Sequence, residues 1–116
     1  MRRGEIWWAT LPAPWGRRPV LLLARNDAYE MLSWVAAAPL TSRTRFAPTM
    51  VELDPRTDGV PQRSIANLDE IQPLRPSWLD EFVVRLRPEK MQEVERAIHF
   101  ALALTSGCPT PRYGAN

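Results

Sequence analysis

Two adjacent arginines, Arg17 and Arg18, stand directly before Pro19 and five apolar residues, 20–24 (VLLLA), and the stretch closes on Asn26-Asp27. An apolar run this short, bounded by turn residues, reads as a strand buried on both faces. Pro19 takes the first strand position, where a missing N–H costs least. At least one guanidinium therefore stands at the rim of a core on a rigid support. Guanidinium forks match phosphate oxygens in bidentate fashion, which makes Arg18 the candidate centre of a phosphate-handling site. Thr41 and Ser42, at the end of another extended stretch, are hydroxyls that could share it. Ordinary surface charge for the arginines, and a turn or cap for the hydroxyls, are the plainer alternatives, and pattern alone leaves both open.

Other chemistries find little support. The single histidine, His99, falls one residue past Ile98, off the apolar stripe of a helix, and reads as solvated. That removes two-histidine RNA cleavage and any histidine-bearing triad. The single cysteine, Cys108, excludes an internal disulfide and a cysteine zinc site. No His/Cys cluster has metal spacing, and no glycine loop is built to cradle a nucleotide phosphate. Asp54, Asp58, Asp69 and Glu70 show no ligand pattern. One reaction class survives: cleavage of RNA by its own 2′-hydroxyl. There the substrate brings the nucleophile, and the protein need only align it and stabilise charge on the phosphate. No metal and no cofactor are expected.

Charge distribution is consistent with an anionic partner. Residues 1–50 carry seven arginines against three acidic side chains, whereas residues 51–116 carry eight basic against ten acidic. Only Lys90 among the fifteen basic residues is a lysine. Biased genome composition enriches arginine everywhere but does not explain its clustering in the first half. With 45% hydrophobic and 24% charged residues, the composition is that of an ordinary globular domain. No apolar run approaches a membrane span, and Glu5 interrupts the N-terminus too early for a signal-peptide core. A cytoplasmic protein without a membrane partner is expected.

The elements that must position these side chains are mostly strands. Residues 5–11 read as a first strand, 18–25 as a second, 26–31 as a short helical turn, 33–40 as a third strand and 48–53 as a fourth. A turn follows over 54–59. Residues 64–71 read as one fifth strand, whose alternation puts Ile65, Asn67 and Asp69 on one face. A last strand is expected over 82–86. A helix then starts at Pro88, with Glu89 suiting its positive end. Its apolar stripe is Met91, Val94, Ile98, Ala101 and Leu102, and Gly107 with Pro109 stops it. The fold class is therefore mainly β with a C-terminal helix, a small β-barrel closed by that helix over residues 1–107 and followed by a loose tail at 108–116.

With these residues assembled, the chain resembles the MazF/PemK family of toxin endoribonucleases over residues 3–104. The resemblance is carried by Arg3-Gly4-Glu5-Ile6-Trp7, Arg18-Pro19-Val20, Asn26-Asp27, Ala38-Pro39-Leu40-Thr41-Ser42 and Ser64-Ile65-Ala66-Asn67-Leu68-Asp69-Glu70-Ile71. It implies an SH3-like barrel, a homodimer, and metal-independent, sequence-selective cleavage of single-stranded RNA, restrained by a cognate antitoxin. The family's catalytic arginine falls on Arg18 and its threonine on Thr41. An arginine and an aspartate two apart, used in the plasmid-borne branch, fall on Asn67 and Asp69, so the arginine is replaced. Asp69 is the candidate proton acceptor, because a guanidinium is a poor base. Trp15 would stack a base, and Arg17, Ser42, Arg43, Arg45 and Asn67 would bind the RNA strand. The first loop departs from many relatives in being short. A gyrase-poisoning toxin of the CcdB type is the rival reading, but the chain ends Tyr113-Gly114-Ala115-Asn116 where that mode resembles Trp-Gly-Ile. A barrel that binds RNA without cutting it is the third.

Overall fold

The computed structural model describes residues 1–42 and 47–104. Arg43, Arg45 and the tail at 108–116 lie outside them. Seven strands appear among the described residues: β1 (Glu5–Leu11), β2 (Gly16–Leu22), β3 (Val35–Thr41), β4 (Met50–Leu53), β5 (Ser64–Asn67), β6 (Gln72–Leu74) and β7 (Leu79–Arg85). Three helices accompany them, α1 (Ala28–Met31), α2 (Pro55–Asp58) and α3 (Pro88–Ala101). This is the expected mainly β chain with a C-terminal helix. The expected barrel is only approximate, because the hydrogen-bonded path β4-β5-β3-β2-β1-β7 is open, with β6 added on β3. All pairings are antiparallel.

The strand β3 is the pivot. Its first three residues pair with β6, residues 37–39 pair with β2, and its last two pair with β5, with Leu40 opposite Ala66 and Thr41 opposite Ile65. Its alanines let layers approach closely on both sides: Ala38 joins one core cluster and Ala37 the other. The first cluster, with Ile6, Leu21, Leu40 and Leu68, lies under Val94 and Ala97 of α3. The second joins Ala9, Val20, Leu22 and Leu74 to Ala28 and Tyr29 of α1. Val20, Leu21 and Leu22 are fully buried, which accounts for their unbroken apolar sequence.

Three sequence expectations are corrected. β2 runs from Gly16 to Leu22 rather than over 18–25, so both arginines lie within it. The single strand expected over 64–71 breaks after Asn67. There the Asn67 side chain accepts the Asp69 N–H at 3.0 Å and caps a 3-10 turn, Leu68–Glu70, before β6. Asparagine favours this local bond over continued pairing. The helix α3 ends at Ala101, not near Gly107. Ala103 adopts a left-handed φ of 56°, its N–H bonds Phe100 O, and Leu104 N–H bonds His99 O, the paired bonds of a Schellman turn. The sequence expectation looked for glycine at this stop and alanine occupies it.

Candidate active site

A cleft of about 700 Å³ opens where β2, β3 and β5 meet, and its walls include Trp15, Arg17, Arg18, Thr41, Ser42 and Asn67. Six of the nine sequence-selected site residues thus share one cavity. Arg43 and Arg45 are outside the described residues, and Asp69 is exposed and absent from the cleft wall.

Strand register explains the meeting. Val20 pairs with Pro39, and extending that antiparallel register by two residues brings Arg18 across from Thr41. Steps of two preserve the face. Thr41 in turn pairs with Ile65, two residues before Asn67. Three strands adjacent only in the fold therefore deliver a guanidinium, a hydroxyl and an amide to one side of the sheet.

The two arginines have different electrostatic circumstances. Arg17 lines the cleft but is engaged by acids that do not: its Nη2 donates to Asp80 Oδ1 at 2.8 Å and to Glu81 Oε1 at 3.3 Å. Its guanidinium also stacks over the Trp8 ring at 4.6 Å. Thr10 Oγ1 donates to the other Asp80 oxygen at 3.0 Å. The hydrogen bond from Arg17, with help from Thr10, holds the Asp80 carboxyl below its usual range, while the same pair raises the arginine's pKa. Arg17 is therefore a largely neutralised cation.

Arg18 is half-buried and has no carboxylate within ion-pair distance among the described residues. Its Nε donates to Trp15 O at 3.1 Å, and its guanidinium lies 5.1 Å from the Trp15 ring centre. One nitrogen is spent on orientation, and the two terminal nitrogens donate to no described residue. The loop that supplies the carbonyl is only four residues long, Pro12 to Trp15. It is tied by Trp15 N–H to Pro12 O and released into β2 through Gly16 at φ 67°, a conformation suited to glycine. The departure noted in the sequence thus supplies the carbonyl that holds Arg18.

Sequence reasoning missed Glu70, which lines the cleft while Asp69 does not. In a 3-10 turn side chains three apart eclipse, so Glu70 lies beside Asn67, whose Nδ2 donates to Glu70 Oε1 at 3.4 Å. Unbroken strand alternation would have put Asn67 and Glu70 on opposite faces. Trp8, Gln62 and Ser64 also line the cleft without having been singled out. The cap-forming Asn-Leu-Asp-Glu sequence was the available signal for the break. Among the described residues no three His, Cys, Asp or Glu side chains are grouped to hold a metal ion.

The chain is similar in sequence and in fold to known proteins. The model of the PemK-like, MazF-like toxins of type II toxin–antitoxin systems matches residues 2–102. The chain belongs to the PemK/MazF toxin family. Among curated relatives of the toxin, the probable endoribonuclease MazF5 of Mycobacterium tuberculosis is 35% identical over 100 residues, covering 86% of this chain and 91% of the relative. Endoribonuclease MazF6 of the same organism is 36% identical over 111 residues, covering 88% and 96%. Among solved structures, a mycobacterial endoribonuclease in complex with its cognate antitoxin superposes with a TM-score of 0.79 at 26% identity, covering 90% of the toxin and 97% of that chain. The M. tuberculosis toxin MazF-mt6 gives 0.77 at 29% identity, covering 87% and 98%.

Proposed function

We propose that this toxin is a metal-independent endoribonuclease that cleaves single-stranded RNA through attack of the 2′-hydroxyl on the adjacent phosphate, leaving a 2′,3′-cyclic phosphate. The observation that carries this reading is the cleft shared by Arg18 and Thr41, with Arg18 oriented by Trp15 O and unpaired with any described carboxylate. The terminal nitrogens of Arg18 take the scissile phosphate and the extra negative charge of its pentacoordinate state. Thr41 contributes a hydroxyl donor on a phosphate oxygen. Preorganised donors of this kind supply several kcal/mol of barrier lowering on the order of 2.7–4 each. Asn67 and Ser42 bind the strand beside them, and Trp15 offers its ring to an unpaired base. A carboxylate at the end of β5 accepts the 2′ proton.

The relatives named endoribonucleases support the enzyme over a gyrase poison or a silent RNA-binding barrel. By analogy with the mycobacterial complex, a cognate antitoxin covers the basic cleft, with an acidic, partly disordered segment as the complementary chemistry. A homodimer acting in the cytoplasm completes the proposal; no helix of the described residues is long and apolar enough to cross a membrane. The test is incubation of purified toxin with labelled single-stranded RNA in EDTA. Wild type cuts and leaves cyclic-phosphate ends, and Arg18→Ala binds but does not cut. Near-full cleavage by a folded Arg18→Ala protein refutes the assignment.

A further inference from the structure

We infer that Glu70, and not Asp69, is the group that takes the proton from the attacking 2′-hydroxyl, and that Asn67 positions it. The inference rests on the RNA-cleaving reading of the cleft. Among the described residues that line it, Glu70 is the only acidic one. The break after Asn67 decides which of two consecutive acids lies along the cleft. Both side chains are exposed, but Asp69 gives its backbone N–H to Asn67 Oδ1 and lies outside the wall, whereas Glu70 receives the Asn67 amide on one oxygen and lines it. Its second oxygen has no donor among the described residues.

Separation from the arginines is the second argument. A carboxylate that shares a cavity with two guanidiniums would ordinarily pair with one. Neither Arg17 nor Arg18 forms an ion pair with Glu70. Arg17 is held by Asp80 and Glu81, and Arg18 leans on Trp15. The strands bearing Arg18 and Asn67 are separated by β3, two inter-strand spacings or about 10 Å of backbone. That span accommodates a phosphodiester between an anchoring cation on one wall and a base on the other.

In the step, the 2′-hydroxyl proton passes to the free oxygen of Glu70, the 2′ oxygen bonds to phosphorus, and the bond from phosphorus to the 5′ oxygen breaks. The leaving 5′ oxygen takes a proton from solvent, and Glu70 returns its own to solvent. Atoms and charge balance without a further reactant.

The experiment uses full-length toxin, a labelled mixed-sequence single-stranded RNA, and DNA of the same sequence as a binding probe that lacks the 2′-hydroxyl. Glu70→Ala and Glu70→Gln are expected to lose about 100-fold or more in single-turnover cleavage, within the usual range for a positioned base. They should bind the DNA probe within threefold of wild type and unfold at the wild-type temperature. Added formate or acetate should restore part of the rate to Glu70→Ala, which a purely structural role would not allow. Asn67→Ala should show a smaller loss that formate does not repair. Cleavage by Glu70→Ala within threefold of wild type overturns the inference, as does formate rescue at Asp69→Ala in its place. Loss of probe binding equal to the loss of cleavage also overturns it. Arg18→Ala run alongside separates the two levels. If it is inactive while Glu70→Ala cuts normally, Glu70 alone is wrongly assigned; if it cuts normally, the cleft itself is.

Discussion

Replacing Arg18 by lysine keeps the charge and removes the fork. In the structure Nε is committed to Trp15 O at 3.1 Å, so only the terminal nitrogens are left for the proposed phosphate. A lysine ammonium can satisfy the carbonyl or the phosphate, but not both in that geometry. The loss is one charge-assisted hydrogen bond, about 1.5–3 kcal/mol, and the guanidinium stacked on Trp15, about 0.5–1 kcal/mol. The sum, about 2–4 kcal/mol, corresponds to roughly 30- to 1,000-fold in rate. Arg18→Lys should therefore cleave that much more slowly in single-turnover reactions on labelled RNA in EDTA, while binding matched DNA nearly as well as wild type. Trp15→Leu, which keeps the carbonyl and removes only the ring, should lose about two- to fivefold through the same stacking contribution. A folded Arg18→Lys protein within threefold of wild type would mean that the fork and its tether are unimportant to the reaction.

Three other outcomes follow from the structure. Asp80→Asn should loosen Arg17 from its acidic clamp and add a phosphate-tracking charge, making the log–log salt dependence of RNA binding steeper by about 0.7; an unchanged slope measured by fluorescence anisotropy counts against the clamp. Glu5 is buried, which opposes its charge, yet Trp7 Nε1, Arg85 Nη2 and Arg2 N–H all donate to it and hold its pKa below the ordinary 4.5. Glu5→Gln should cost about 2 kcal/mol in urea unfolding at pH 7, and the gap to wild type should narrow as pH falls below 4.5 towards the depressed folded value, because a carboxylate with a lowered folded pKa stabilises only while ionised. A gap that never narrows on acidification contradicts this. Ala103→Gly should raise stability by about 1 kcal/mol by relieving a left-handed alanine; a lower melting temperature would show that the turn after α3 is held differently.

The sequence was most informative where one physical requirement dominated. A strand buried on both faces has no freedom to alternate, so Val20 to Leu22 announced both their strand and the position of Arg18. The helix start at Pro88 was legible for a similar reason, since proline is welcome in a first turn and nowhere later. Legibility failed where a local side-chain bond competed with pairing. Asn67 could continue a strand or cap a turn, and alternation, blind to that choice, put Asp69 inward and Glu70 outward. The helix end was missed because the expected glycine was absent. Charge counting failed too at Arg17, whose neighbours Asp80 and Glu81 arrive from a strand more than sixty residues away.

The order of strands also sets when the cleft comes together as the chain is made. Arg18, Thr41 and Asn67 are adjacent only after β3 has closed on β2 and then on β5, and closing such loops costs entropy before any contact repays it. A ribosome that has released the first two of these strands exposes a guanidinium and a hydroxyl but no third wall. The cleft is thus complete only after the chain has been made through β5, so a partner that recognises the closed cleft has no target before then.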